Sequence, residues 1–429
     1  MLHMLTRCIG QLLFDLPTIN SLTLAVCVTL SCLGCSIGPR SLLQSRLRYN
    51  DAVKATSEQQ LLLNIVRLRY IDTPSSLAIT SIADQQEIVA GMGIVPFFAS
   101  AGAGDIGSYR NSILPQAQFS GTTRPTLSFT PLDDEEFTRR LFSPISLEGA
   151  AYLSKTTWPI STVFRLYLEN LNWVSNAQTA SGPTPKDPPV YAEFLEGVFA
   201  LQRLQDRNRI TLFSEDREKS VSSVFSEKEN NANNAIESIK NDLELKSSDD
   251  GVTLVRHHKQ PVLRVDPTVH DDPDWLVFCN AFKLNPNLKT FDLTSKELDP
   301  YLKDMPPSGL EKIDIETRSL LQVLFFVSQG VEVPCEHLAS GIAPQTRGDD
   351  AESFDWQQVL RGLFRVRSVK SKKRPSCAHI AVQYKGHWYY IDDRDQETKA
   401  TFALLLEVSR LELESSKTKA PILTLPLGG

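Results

Sequence analysis

Histidine, methionine and tryptophan are scarce in this chain of 429 residues, at seven, four and five. No His-Glu-x-x-His, no nucleophile elbow and no phosphate-binding loop is formed from what is there, so the common metal-hydrolase, serine-hydrolase and nucleotide-triphosphatase signatures are missing. Excess positive charge is missing too. Forty-five Lys plus Arg stand against 51 Asp plus Glu, a net charge of −6. That sign does not suit a protein whose main work is gripping phosphate backbones, and no nucleic-acid partner is expected. No internal repeat is visible, and only one stretch is long and apolar. With 41% hydrophobic and 22% charged residues, the composition is that of a soluble globular chain able to bury a sizeable core.

The apolar stretch lies near the N-terminus. Asp15 and Arg40 bracket 24 consecutive uncharged residues, with Leu22-Thr-Leu-Ala-Val-Cys-Val-Thr-Leu30 at their centre. Pro17, Asn20 and several Ser and Thr reduce its dense apolar part to about 14 residues, the size of a signal-peptide core and short of the roughly 20 that a spanning helix needs. It ends in Ser31-Cys-Leu-Gly-Cys35-Ser36, where a small residue precedes a cysteine twice, as lipoprotein signal peptidase requires. The reading is a signal peptide over 1–34 with lipid on Cys35. Cys32 is the alternative acceptor, and a single uncleaved transmembrane anchor is the alternative to cleavage. A triacylated cysteine would hold the chain permanently to a membrane. Beyond it remain Cys279, Cys335 and Cys377, too few for a disulfide scaffold.

The fold class expected is α/β, of the α+β kind with mixed helices and mostly antiparallel strands. Two units are expected, 35–214 and 251–429, joined by an exposed charged helical linker at 215–250. The linker holds ten acids and five basic residues, yet Val221, Val224, Phe225, Ile236, Ile239 and Leu243 keep helical spacing. Helical periodicity runs from Arg40 to Tyr70, with Ser57-Glu-Gln-Gln60 read as the start of a second helix. Leu77 to Ser100 and Gln118 to Pro131 read as strands that pair antiparallel. Helices are expected at 133–142, 146–154, 159–174, 190–206, 317–329 and 396–414. Strands are expected at 209–213, 252–265, 274–283, 359–369, 378–384 and 387–392.

Several motifs are weighed and mostly declined. Gly102-Ala-Gly-Asp-Ile-Gly107 has the letters of a dinucleotide fingerprint, but Pro115 and more strand pattern follow where a helix is required. Cys335-Glu-His337 and Cys377-Ala-His379 are the two Cys-x-His pairs, and their spacing is that of no zinc finger. No cofactor and no metal are expected. The basic run Arg365 to Arg374 reads as a solvated hairpin tip. The densest polar and aromatic group is His387-Trp388-Tyr-Tyr-Ile-Asp392-Asp393-Arg394-Asp395. It is the candidate functional surface, set against the plainer reading of a strand and turn whose aspartates cap the helix after it.

Gly34-Cys35-Ser-Ile-Gly-Pro39, Glu58-Gln-Gln-Leu-Leu-Leu-Asn-Ile-Val-Arg-Leu-Arg-Tyr70, Pro125-Thr-Leu-Ser-Phe-Thr-Pro131 and Trp388-Tyr-Tyr-Ile-Asp-Asp-Arg-Asp395 together resemble an uncharacterised family of bacterial lipoproteins. The resemblance implies a lipid at Cys35 and brings no activity with it. Cys32-Leu33 before the glycine departs from the family's cleavage site. The expectation is thus a lipid-anchored envelope protein at the outer membrane, facing the periplasm, since Ser36 rather than Asp follows the acylated cysteine. Its work would be to bind an envelope protein partner without catalysis. An enzyme acting on a wall or surface polymer is the alternative.

Overall fold

The computed structural model describes residues 37–75, 77–97, 112–131, 135–155, 158–220, 244–248, 251–295, 310–348 and 352–414. Cys32, Cys35 and the Gly102–Gly107 stretch lie outside them. The chain divides into two units, Met1–Glu58 and Gln59–Gly429. Helix α1, Ile37–Arg69, is continuous where two helices were expected. Neither Pro nor Gly occurs between Arg40 and Tyr70 to break it, and Thr56 bonds back through Oγ1 to the Ala52 carbonyl at 2.8 Å inside the helix. Among the described residues no helix is long and apolar enough to cross a membrane.

The expected antiparallel pair is present as β1, Leu77–Phe97, and β2, Ser112–Pro131, in register from Leu77↔Pro131 to Phe97↔Ser112. These two strands form a sheet of their own. Four helices and short elements follow. They are α2 (Glu135–Phe142), α3 (Leu147–Lys155), α4 (Ile160–Tyr167) and α5 (Ala192–Asp206), with the hairpin β3 (Leu168–Leu171) and β4 (Val174–Ser175) between the last two.

The 215–250 stretch does not separate two domains. Strand β5, Ile210–Ser220, pairs along its whole length with β7, Gly251–Val265, and β6, Glu244–Ser248, pairs with the other end of β7. Residues 221–243 of the expected linker lie outside the described set. The charges that suggested a solvated helix serve the sheet instead. Arg217 donates to both carboxylate oxygens of Asp292, at 2.7 and 2.8 Å, and to Glu215. Strands from before and after this stretch share one sheet, ordered β4-β3-β9-β8-β7-β5, with β8 at Thr290–Ser295 and β9 at Lys312–Thr317. Only β8 and β9 run parallel. The α/β class, mostly antiparallel, is therefore the fold that is present.

Residues 274–283, expected as a strand, form helix α6, Pro273–Ala281. Asp272 caps it by accepting the Asp274 amide at 2.9 Å, and Pro273 sits at the first helical position, where its missing N–H costs nothing. Where α5 and α6 cross, Gly197 lies against Phe282.

One hydrophobic cluster runs from Leu61 on α1 to Val408, so the core is shared across the whole second unit. Packed against this cluster at Phe326 is Arg318, fully buried. Its guanidinium donates to Ser181 Oγ at 2.9 Å and to the carbonyls of Arg165, Leu166, Leu168 and Asn176, and it lies 4.1 Å from the centre of the Phe326 ring. Burial draws its pKa down to about 9, partly opposed by Glu169. A ring of five acceptors is what keeps the charge tolerable there.

The C-terminal part holds α7 (Leu320–Ser328), α8 (Cys335–Ala339), α9 (Gln357–Leu360), β10 (Arg367–Val369), β11 (Ala378–Tyr384), β12 (His387–Asp392) and α10 (Gln396–Glu414). Of the strand expected at 359–369, only β10 is strand. β10 pairs with β12 rather than β11, so the basic run crosses between sheet positions and is not a hairpin tip.

Candidate functional site

The β11–β12 hairpin turns through Lys385 and Gly386, at φ of 43° and 81°. A two-residue turn with both residues left-handed matches the twist of the strands it joins. It fixes Tyr384 opposite His387 and starts β12 on the histidine. Alternation along β12 then buries His387, Tyr389 and Ile391.

The structure divides the 387–395 group. Asp395 accepts from the Thr398 amide at 3.0 Å and the Thr398 hydroxyl at 2.7 Å, which caps α10. Asp392 accepts from the Arg394 amide at 3.0 Å. Asp393 pairs with Lys399 at 2.7 Å and lies 3.4 Å from His379; the Lys399 bond holds its carboxyl below the usual range. The Trp388 indole N–H is buried with no hydrogen-bond partner. These aspartates and Arg394 are accounted for by local turn and cap geometry. His387 joins a larger set drawn from another element, and Tyr389 flanks it through the Tyr70 hydroxyl.

That set is Glu336, His337 and His387, each offering a ligand atom, all within 4.8 Å of one another. Short helix α8 presents Glu336 to solvent and buries His337. His387 Nε2 is 3.0 Å from Glu336 Oε1, and the two imidazoles meet edge to face with centres 4.8 Å apart. The Tyr70 hydroxyl lies 2.7 Å from His337 Nδ1 and 2.5 Å from the Tyr389 hydroxyl. The Lys385 carbonyl faces His387 Nδ1 at 3.4 Å. Lys370 bridges both Glu336 oxygens at 3.1 and 3.2 Å and, with weaker help from the two histidines, holds that carboxyl below its ordinary range. Burial, then His387, lowers the pKa of His337.

The Cys-x-His pairs do not converge. Cys335 and Cys377 are exposed free thiols, and His379 faces Asp393. The sequence reading declined those pairs and missed that His337 meets His387. The Lys385-Gly386 turn that starts a strand on a histidine was the available signal.

A second candidate surface is backbone. Among the described residues the β1–β2 sheet has two strands only, so each strand has an outer edge with no strand partner. β2 carries Pro115, Pro125 and Pro131, whereas β1 has Pro96 alone, one residue from its end. Proline has no N–H to give to a ladder, so the β1 edge is the better template for another strand.

No protein family, curated protein or solved structure matches the chain.

Proposed function

We propose that the chain is a lipid-anchored component of the bacterial envelope, held at the outer membrane through Cys35. It acts by binding another envelope protein rather than by catalysis. The observation that carries this reading is the β1 edge: 21 residues of strand in a sheet that has two strands among the described residues. Two-stranded ribbons are marginal alone in water, and added strands are a recurrent way to capture an extended segment through main-chain hydrogen bonds. The anchor reading is supported by the N-terminal apolar segment ending in Ser31-Cys32 and Gly34-Cys35.

Photo-crosslinking amino acids placed along β1 in intact cells test the binding. One recurrent protein adduct, formed from β1 positions and weak from β2 positions, is expected. Adducts equally spread over both strands, or none, reject it. Fatty-acid labelling that disappears in Cys35→Ala tests the anchor. Labelling lost only in Cys32→Ala moves the lipid, and no labelling in the parent chain rejects the anchor.

A further inference from the structure

The Glu336, His337 and His387 cluster carries a chemistry separate from the anchor and the docking edge. We propose that it is a binding site for one divalent transition-metal ion, zinc fitting best, held by a Glu336 carboxylate oxygen and the Nε2 atoms of His337 and His387.

The donor set points to this class of ion. Two imidazole nitrogens and one carboxylate oxygen suit zinc and its first-row neighbours, whereas calcium and magnesium take oxygen ligands. With ligand distances of about 2.0–2.2 Å, donors around a tetrahedral zinc stand roughly 3.4 Å apart. A Glu336 carboxylate oxygen and one ring nitrogen of each histidine already lie within 4.8 Å of one another, and His387 Nε2 is 3.0 Å from Glu336 Oε1. Closing on an ion draws the most distant pair in by up to roughly 1.4 Å.

Both rings are oriented for it. Ligating histidines generally have their second nitrogen engaged by an oxygen, which fixes the tautomer and aims the free nitrogen. Here Nδ1 of His337 meets the Tyr70 hydroxyl at 2.7 Å, and Nδ1 of His387 faces the Lys385 carbonyl at 3.4 Å. Nε2 is the remaining nitrogen on each ring. Tyr389 in turn steadies Tyr70. The rings are buried, so the ion enters from the exposed Glu336 side, and three protein donors leave a coordination position for water.

Lys370 stands in the ion's way. Its ammonium holds both carboxylate oxygens of Glu336 at 3.1 and 3.2 Å, and a dication must displace it. Removing this competitor strengthens binding, an effect opposite in sign to losing a ligand.

The test is calorimetric titration of the purified full chain, carrying no histidine tag, with zinc chloride, together with cobalt(II) absorption as a coordination readout. A saturable one-to-one site with the intense visible bands of four- or five-coordinate cobalt is expected. His387→Ala should weaken zinc by tenfold or more, and Lys370→Ala should tighten it several-fold. Because His387 is buried and its loss bears on folding, Glu336→Gln provides a second variant at an exposed position, also expected to lose tenfold or more while the metal-free melting temperature stays within a few degrees. No saturable site, or zinc binding unchanged in Glu336→Gln and His387→Ala, overturns the proposal. These outcomes are independent of β1 crosslinking, so either reading can fail alone.

Discussion

The hydroxyl of Tyr70, at the end of α1, lies 2.7 Å from Nδ1 of His337 on α8, a hydrogen bond that spans most of the chain. It ties the aim of a candidate metal ligand to a helix far from it in sequence. Tyr70→Phe keeps the ring and removes that bond together with the one to the Tyr389 hydroxyl. Losing two hydrogen bonds should cost about 2 kcal/mol of stability. Zinc affinity should fall about 10- to 100-fold, because the imidazole loses its orienting partner. Parallel thermal melts and zinc titrations of parent and variant separate the two effects.

Arg318 is the buried charge on which the core depends. Arg318→Met removes the guanidinium donors from the carbonyls of Arg165, Leu166, Leu168 and Asn176, of which Arg165 and Leu168 keep a bond from Asn176 Nδ2. The expected loss is about 3 kcal/mol or more. Arg318→Lys should recover little, since a single ammonium cannot reproduce a forked donor set reaching five acceptors. Urea denaturation of the two variants against the parent measures both; a Lys variant as stable as the parent counts against this account.

Asp266 sets an acid limit. It accepts from the Thr268 amide at 2.9 Å and the Thr268 hydroxyl at 2.8 Å and pairs with Arg209 at 2.9 Å, and these bonds lower its pKa to about 2. A carboxyl whose folded pKa lies below its unfolded value binds fewer protons when folded. Its stabilisation is therefore complete above an ordinary aspartate pKa of about 4 and is lost as pH falls toward 2. Melting temperature against pH should show a shallower acid limb between 4 and 2 in Asp266→Asn than in the parent.

Gly197→Ala tests the α5–α6 crossing. An added methyl would meet the Phe282 ring and lie 2.9 Å from Ala281 Cβ. Overpacking should cost about 1–3 kcal/mol, despite the better helix propensity of alanine. A variant as stable as the parent in a thermal melt shows that the ring can move aside.

How far the sequence reveals this protein depends on whether a signal is local. Helix α5 at Ala192–Asp206 and α10 at Gln396–Glu414 follow their apolar periodicity closely, and the β1–β2 pairing follows two strand-like runs. Residues 274–283 misled because an apolar run was read without the Asp272-Pro273 start signal beside it. The 215–250 stretch misled because its charge was taken for solvation, when Arg217, Glu215 and Asp292 satisfy one another across strands. The candidate site was legible only in part. His387 stood out in its aromatic cluster, but its neighbours Glu336 and His337 come from helix α8, and no spacing rule connects them. Cys335 and Cys377 drew the eye because they sit beside histidines, yet both face solvent.

The shared sheet also sets an order of events in folding. Leu168 on β3 pairs with Thr317 on β9, and the Asn172 amide donates to the Asp314 carbonyl. A chain delivered N-terminus first exposes β3 and its apolar neighbours long before their partner strand emerges. Such distant pairings are slow, because the closure entropy is spent before any contact rewards it. The early half must therefore wait as an unfinished sheet edge, and a holding chaperone would matter more to this protein than to one folding as two successive domains.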